Sequence, residues 1–149
     1  MKRLEELNVA NLKIYQDDEL YKFTSDAVIL SRFASVKKGD RVADFCSGSG
    51  IVSLHLYGLN QGLVDEVTLF EMQQPLYEMS KMSIEINGLS NIFTAVNTKV
   101  QDVGKEYNER FSLIVLWFLL FFLQQVEWKA MHQNLKSVLL RNHMQKCLN

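Results

Sequence analysis

At 149 residues, 48% of them apolar and 22% charged, the chain is long enough for one domain with a real core, too short for two, and ordinary in composition for a soluble globular protein. A formal net charge of -1 excludes a global basic field, so any contact with nucleic acid rests on local patches. Cys46 and Cys147 offer neither a disulfide framework nor a metal cluster, and His55, His132 and His143 show no ligand spacing with them, so no metal is expected and a reducing cytoplasm is the simplest setting.

Residues 1 to 20 are too polar for a signal peptide, and export is not expected. The segment through Leu7 reads as a short amphipathic turn, and Leu12 to Gln16 alternates like a half-exposed strand. Asp17-Asp18-Glu19 reads as a solvated turn, with Tyr21-Lys22-Phe23 returning as a hairpin partner. Ser25 or Asp26 then caps a helix through Val28, Ile29, Leu30 and Phe33. Lys37-Lys38-Gly39-Asp40 turns the chain into a first sheet strand, Arg41 to Phe45.

A loop of small residues follows, and Ile51 to Leu59 reads as a two-turn helix stopping near Asn60-Gln61-Gly62. Val67 to Glu71 is a second strand ending in a carboxylate. Pro75 fits the first turn of a helix that reaches Asn87-Gly88, with Leu76, Met79, Ser83 and Ile86 as its buried face and Met79 to Met82 as core filling. A third strand, Ile92 to Val96, ends in Asn97; Val100 to Tyr107 reads as a short helix; Arg110 to Val115 reads as a fourth parallel strand buried on both faces. Strands alternating with helices in this way predict an α/β, doubly wound, mostly parallel Rossmann-like sheet with right-handed crossovers.

The apolar run Leu113 to Leu123 is shorter than the about 20 residues a membrane-spanning helix needs, so no membrane association is expected. It reads instead as a strand prone to self-association if the sheet ends in an open edge there. Val126 to Cys147 is predicted as a helix with Trp128, Met131, Leu135, Val138 and Leu139 on one side and Lys136, Arg141 and Lys146 on others.

The chemistry concentrates at the first strand's tip. Gly48 and Gly50 let the loop after Phe45 bring its backbone N–H groups against a ligand, while the next helix presents its positive end. Asp44 stands at the carboxyl end of its strand, where ligands bind in open α/β sheets, and Glu71 follows Gly50 at about the 20-residue interval of the ribose-binding acid in nucleotide-binding units. Gly48-Ser49-Gly50-Ile51-Val52-Ser53 comes within one small residue of the NAD fingerprint. Asp44 argues against a pyrophosphate and for a ligand with positive charge, such as the sulfonium and ammonium groups of S-adenosylmethionine.

Asp44-Phe45-Cys46-Ser47-Gly48-Ser49-Gly50 resembles the first motif, D-x-G-x-G-x-G, of the class I S-adenosylmethionine-dependent methyltransferases, with Cys46 in place of the first glycine. Arg3 to Leu7, Leu12 to Gln16, Tyr21 to Leu30, Phe70 to Gln73 and Ser83 to Leu89 are together similar to the bacterial tRNA (adenine-N6) methyltransferases that modify a valine tRNA and to their relatives in Gram-positive bacteria. The resemblance runs from about residue 3 to residue 115. It implies the amino-terminal half of a seven-stranded methyltransferase sheet, a tRNA or other nucleic-acid substrate, and a cytoplasmic enzyme. It further implies that Asp44, Cys46, Ser47, Gly48 and Gly50 hold the methionine part of the donor, Glu71 with Met72 the ribose and adenine edge, and Asn97, standing where an acid is usual, the adenine amino group. Residues 1–40 would cover the cofactor site, 41–115 would form the binding core, and 116–149 would be a divergent apolar run and helical tail. Phe23 and Asp26 are possible donor contacts, with core packing and helix capping as the simpler roles.

After the fourth strand the resembling enzymes carry Asn-Pro-Pro-Tyr, which orients the target amino group and stacks on the extruded base. Here Leu116-Trp117-Phe118-Leu119-Leu120-Phe121 stands instead, and no side chain in it accepts an amino proton. No catalytic residue is therefore assigned, weak or absent transfer is expected, and a frameshift or premature stop past residue 115 is one explanation. A non-catalytic remnant that binds cofactor or a partner is the alternative, and an NAD-dependent oxidoreductase ranks third.

Overall fold

The computed structural model describes residues 1–20, 25–104, 107 and 110–116. Four strands form its parallel sheet: β3 (Asp40–Phe45), β4 (Val64–Glu71), β5 (Phe93–Asn97) and β6 (Leu113–Leu116), in the spatial order β5-β4-β3-β6. Numbered within the sheet, that is the 3-2-1-4 order of a doubly wound fold, in which the chain reverses its direction of travel beside β3. The ligand crevice of such sheets opens beyond the carboxyl ends at this reversal, which here is the end of β3 carrying Asp44.

Side-chain alternation assigns the two faces. Val42, Val67 and Leu69 belong to the larger core with α2 (Ile51–Leu59) and α3 (Gln74–Ile86). Ala43, Phe45 and Phe70 point the other way, where Tyr107 and Phe111 close over them. Phe45 and Phe70 stack with centroids 4.9 Å apart, and Tyr107 meets Phe70 edge-on at 5.1 Å. Each such aromatic pair contributes about 1 kcal/mol beyond the area it buries.

α2 is buried from Ile51 through Leu56, because α1 (Ser25–Phe33) covers its far side. The two helices share a polar contact, Ser31 Oγ to His55 Nδ1 at 2.7 Å, and burial with the nearby Arg32 charge lowers the pKa of His55 from its ordinary value. Ser25 and Asp26 are the first two helical residues, so the capping position lies among the residues that are not described. Of the apolar residues expected to define this helix, Ile29 and Phe33 are exposed, Phe33 by 82%, and the buried positions are Ala27 and Ser31.

The amino terminus differs from expectation. Lys2–Glu6 is a strand, β1, pairing antiparallel with β2 (Lys13–Asp17). No core residue marks β1, which forms through its hydrogen-bonded partner and not through burial. The expected partner of β2, Tyr21 to Phe23, lies outside the described residues. The hairpin is fixed to the core at two points. Val9 in its turn sits so close to Gly58 of α2 that a Cβ there would stand 2.9 Å from Val9 Cγ1. Along α3, Ser83 Oγ accepts from the Tyr15 amide at 2.9 Å, and Asn87 pairs with both backbone groups of Lys13.

α3 has Pro75 in its first turn and ends at Asn87-Gly88, Gly88 having φ +65°. Its buried face is Leu76, Met79, Ser80, Ser83 and Ile84, whereas Ile86 is 50% exposed. The reason is phase: the stripe 76, 79–80, 83–84 continues to 87, and 86 falls beside it. Between Val100 and Tyr107 the described residues hold a three-residue 3-10 turn, Val100–Asp102, which stops because Val103 takes an extended backbone, ψ 118°. β6 starts at Leu113, later than expected, since Ser112 is held by the Arg41 backbone and Arg110 by Glu66. β6 lies at the edge of the sheet among the described strands. The rest of the apolar run and the predicted helix Val126 to Cys147 lie outside the described residues, among which no helix is long and apolar enough to cross a membrane.

Candidate functional site

Register brings the two carboxylates to one place. Asp44 pairs with Leu69 and Phe45 with Phe70, so Glu71 lies two residues beyond Asp44's partner and projects from the same face of the sheet. The intervening loop bridges the strand tips. The Ser47 amide donates to Phe70 O at 3.1 Å, and the Gly48 amide donates to Glu71 Oε2 at 2.8 Å. The other oxygen of Glu71 accepts from the Gln73 amide at 2.8 Å. Two of the roughly four acceptor positions of the Glu71 carboxylate are thereby used, and its others remain for hydroxyl donors.

Asp44 is 0% exposed, with Oδ2 accepting from Ser53 Oγ of α2 at 2.7 Å. Burial pushes its pKa up to about 7; the Ser53 hydrogen bond opposes this, and the negative charge of Glu71 adds to it. Asp44 Oδ1 and Ser47 Oγ are buried polar atoms without a hydrogen-bond partner, and among the described residues they stand alone in this. Both lie at the carboxyl tip of β3, Asp44 in the strand and Ser47 in the loop after it, and buried polar groups left unpaired in a folded protein call for a partner.

The backbone explains the small residues. Gly50, at φ +85°, caps α2, and a Cβ there would stand 3.0 Å from Leu69 Cδ1, so its smallness lets the helix pack onto β4. No described atom lies within 4 Å of where a Gly48 Cβ would be, which leaves that side of the loop free for a ligand. Cys46 takes φ +58°, a left-handed conformation that suits glycine, and this accounts for the glycine usual at that position in the motif it resembles. Burial, with the charges of Glu71 and Asp44, pushes the Cys46 thiol up to about 11.

Asn97 and Met72 complete the rim. Asn97 Nδ2 donates to the backbone oxygens of Glu71 at 2.9 Å and Met72 at 3.2 Å, so this amide braces the tip of β4 and turns its Oδ1 away from those carbonyls. Met72 is 62% exposed at the edge of the site. Asp44, Cys46, Ser47, Gly48, Gly50, Glu71, Met72 and Asn97 thus gather at the carboxyl ends of β3, β4 and β5. Two contributors escaped sequence reasoning: Ser53, whose only signal was a hydroxyl in the first turn of the helix after the loop, and the Gln73 amide, which no residue type announces. A cleft of about 430 Å³, bordered by Leu12, Tyr57, Ile86 and Asn87, lies where α2 and α3 end, at the opposite end of the sheet, and shares no residue with this loop.

Solved structures share this fold. The chain has the Rossmann-like fold of the methyltransferases. TYW2 of P. horikoshii in complex with MeSAdo matches with a TM-score of 0.57 and 20% identity over 69% of this chain and 38% of that one. The tRNA (uracil-54, C5)-methyltransferase of Pyrococcus abyssi in complex with S-adenosyl-L-homocysteine matches with a TM-score of 0.55 and 22% identity, covering 76% of this chain and 27% of that one. Precorrin 8W decarboxylase of Methanobacterium thermoautotrophicum matches at 0.62 and 17% identity, over 83% of this chain and 62% of its own. The chain spans less than two thirds of each of these proteins. No protein-family model and no curated protein matches the sequence.

Proposed function

We propose that the loop Asp44–Gly50 and Glu71 hold S-adenosylmethionine, and that the chain is the donor-binding part of a methyltransferase acting on tRNA or another nucleic acid. The observation that carries this reading is the pairing of two orphaned buried oxygens, Asp44 Oδ1 and Ser47 Oγ, with a buried carboxylate that retains acceptor capacity. Glu71 suits the two ribose hydroxyls, as donors to its remaining lone pairs. Asp44 and Ser47 suit the charged and polar methionine end, and Met72 an apolar edge of adenine. Bound there, S-adenosylmethionine supplies an electrophilic methyl group. The neighbours of known structure that act on tRNA or hold adenosyl ligands support the same reading.

The adenine-N6 type is the finer part of the proposal and rests on the sequence resemblance. Leu116 pairs in register with Phe45, so β6 ends beside the donor loop, and an acceptor-orienting tetrapeptide belongs at this point of the sequence. Leu116 to Phe121 offers no side chain that accepts an amino proton, and this favours binding with little or no turnover. The test is calorimetric titration with S-adenosylmethionine followed by methyl transfer to unmodified tRNA. Binding with transfer to adenine N6 supports the whole reading, binding without transfer reduces the chain to a donor-binding remnant, and tight NAD binding with no affinity for S-adenosylmethionine overturns it.

A further inference from the structure

Asp44 and Glu71 form a pair of buried acids with no cation against them among the described residues. Both project from one face of adjacent strands, both are almost wholly withdrawn from water, and each lies within electrostatic reach of the other. The groups facing Asp44 are Ser53 from α2, Glu71 from β4 and, in its own loop, Cys46, whose thiol is neutral near pH 7. His55, further along α2, is engaged with Ser31 of α1 and held toward its neutral form. Val115 of β6 pairs with Asp44 in register and brings no charge. Among the described residues no ion pair includes Asp44 or Glu71. Two like charges buried this closely do not both ionise without a positive partner, which has to be a proton or a ligand.

Glu71 accepts a backbone N–H bond at each of its two oxygens. Asp44 accepts one hydroxyl bond, at Oδ2, and its Oδ1 has none. The proton of the pair therefore belongs on Asp44 Oδ1. Resting on the donor site proposed above, we propose that Asp44 selects ligands by charge, exchanging a bound proton for the positive charge of the ligand as it enters the loop. The carboxylic acid becomes a carboxylate facing the ligand cation, and the proton leaves to solvent. The burial that pushes Asp44 up to about 7 places this exchange in the neutral range. Ser53 acts as the positioning residue, since its hydrogen bond stabilises the ionised form.

The experiment is calorimetric titration of the whole chain with S-adenosylmethionine at pH 6 in buffers of different ionisation enthalpy, which counts protons released. At this pH the amino group of the ligand is already fully charged, since such groups titrate near pH 8. Close to one proton released per ligand, falling toward zero at pH 8.5, is the expected result, and Ser53→Ala shifts the midpoint of that profile to higher pH. Asp44→Asn binds more weakly and releases none. Binding at pH 6 with less than about a third of a proton released overturns the exchange while leaving the donor site intact, and the absence of binding at any pH overturns both.

Discussion

The Gly48 amide donates to the Glu71 carboxylate at 2.8 Å, and through this contact the loop after β3 is held by the tip of β4. The acid assigned to ribose is thus also the clamp that shapes the loop assigned to methionine. Glu71→Ala loses both roles and is expected to weaken S-adenosylmethionine binding by at least 100-fold, whereas Glu71→Gln, which can still accept from Gly48 through its carbonyl oxygen, loses about 10-fold. Equal losses in the two variants would show that the clamp on Gly48 contributes nothing and that Glu71 acts only through its direct contact with the ligand.

Stability is expected to depend on pH through Asp44. Its pKa is raised on folding, from 3.8 to about 7, so the folded chain binds the proton more tightly than the unfolded one. The resulting stabilisation is complete below about pH 4 and is lost as pH rises through 7, a change on the order of 4 kcal/mol. His55, lowered on folding, slopes the other way, costing stability as pH falls below its ordinary value near 6.5. Denaturant unfolding of the wild-type chain and of Asp44→Asn across pH 5 to 8.5 isolates the Asp44 part as their difference. A difference that does not change with pH contradicts the assignment.

Cys46 carries the left-handed strain that a glycine would not. At φ +58° Cys46→Val is expected to destabilise by about 2 kcal/mol, since a β-branched residue suits that region least, while Cys46→Gly leaves stability unchanged or raises it by up to about 1 kcal/mol. The thiol, pushed up to about 11, is expected to resist alkylation at pH 7.5 in the folded chain, read by mass spectrometry of the labelled peptide.

Gly58→Ala tests the seating of the hairpin. Helix propensity alone predicts a gain of about 1 kcal/mol. The new Cβ would stand 2.9 Å from Val9 Cγ1 and 3.2 Å from Leu12 Cδ1, so a net loss of about 1–3 kcal/mol is expected in chemical unfolding. Asn87→Ala, which strips the partner from both backbone groups of Lys13, is expected to cost a similar amount.

Where an element announces itself locally, the sequence was sufficient. The helix Ile51–Leu59 follows a glycine bend and stops at Asn60, and both acids at strand ends were legible from short apolar runs. What needs a partner was not legible. β1 is a strand because β2 lies beside it, and Ile86 leaves the core because Asn87 has to face Lys13. At the site, residue types located the loop, but only register shows that Asp44 and Glu71 share a face, and only burial shows that Asp44 is sealed against α2 by Ser53. Asn97 commits its amide nitrogen to the β4 tip, a bracing role that no residue type announces, and this leaves its Oδ1 as the atom for an acceptor's part.

The most direct measurement is a crystal structure of the chain with S-adenosyl-L-homocysteine. The ribose hydroxyls are expected within hydrogen-bond distance of Glu71 and the amino-acid end against Asp44, Ser47 and Gly48. An adenosyl group found instead in the cleft bordered by Tyr57 and Ile86, at the other end of the sheet, would contradict this placement.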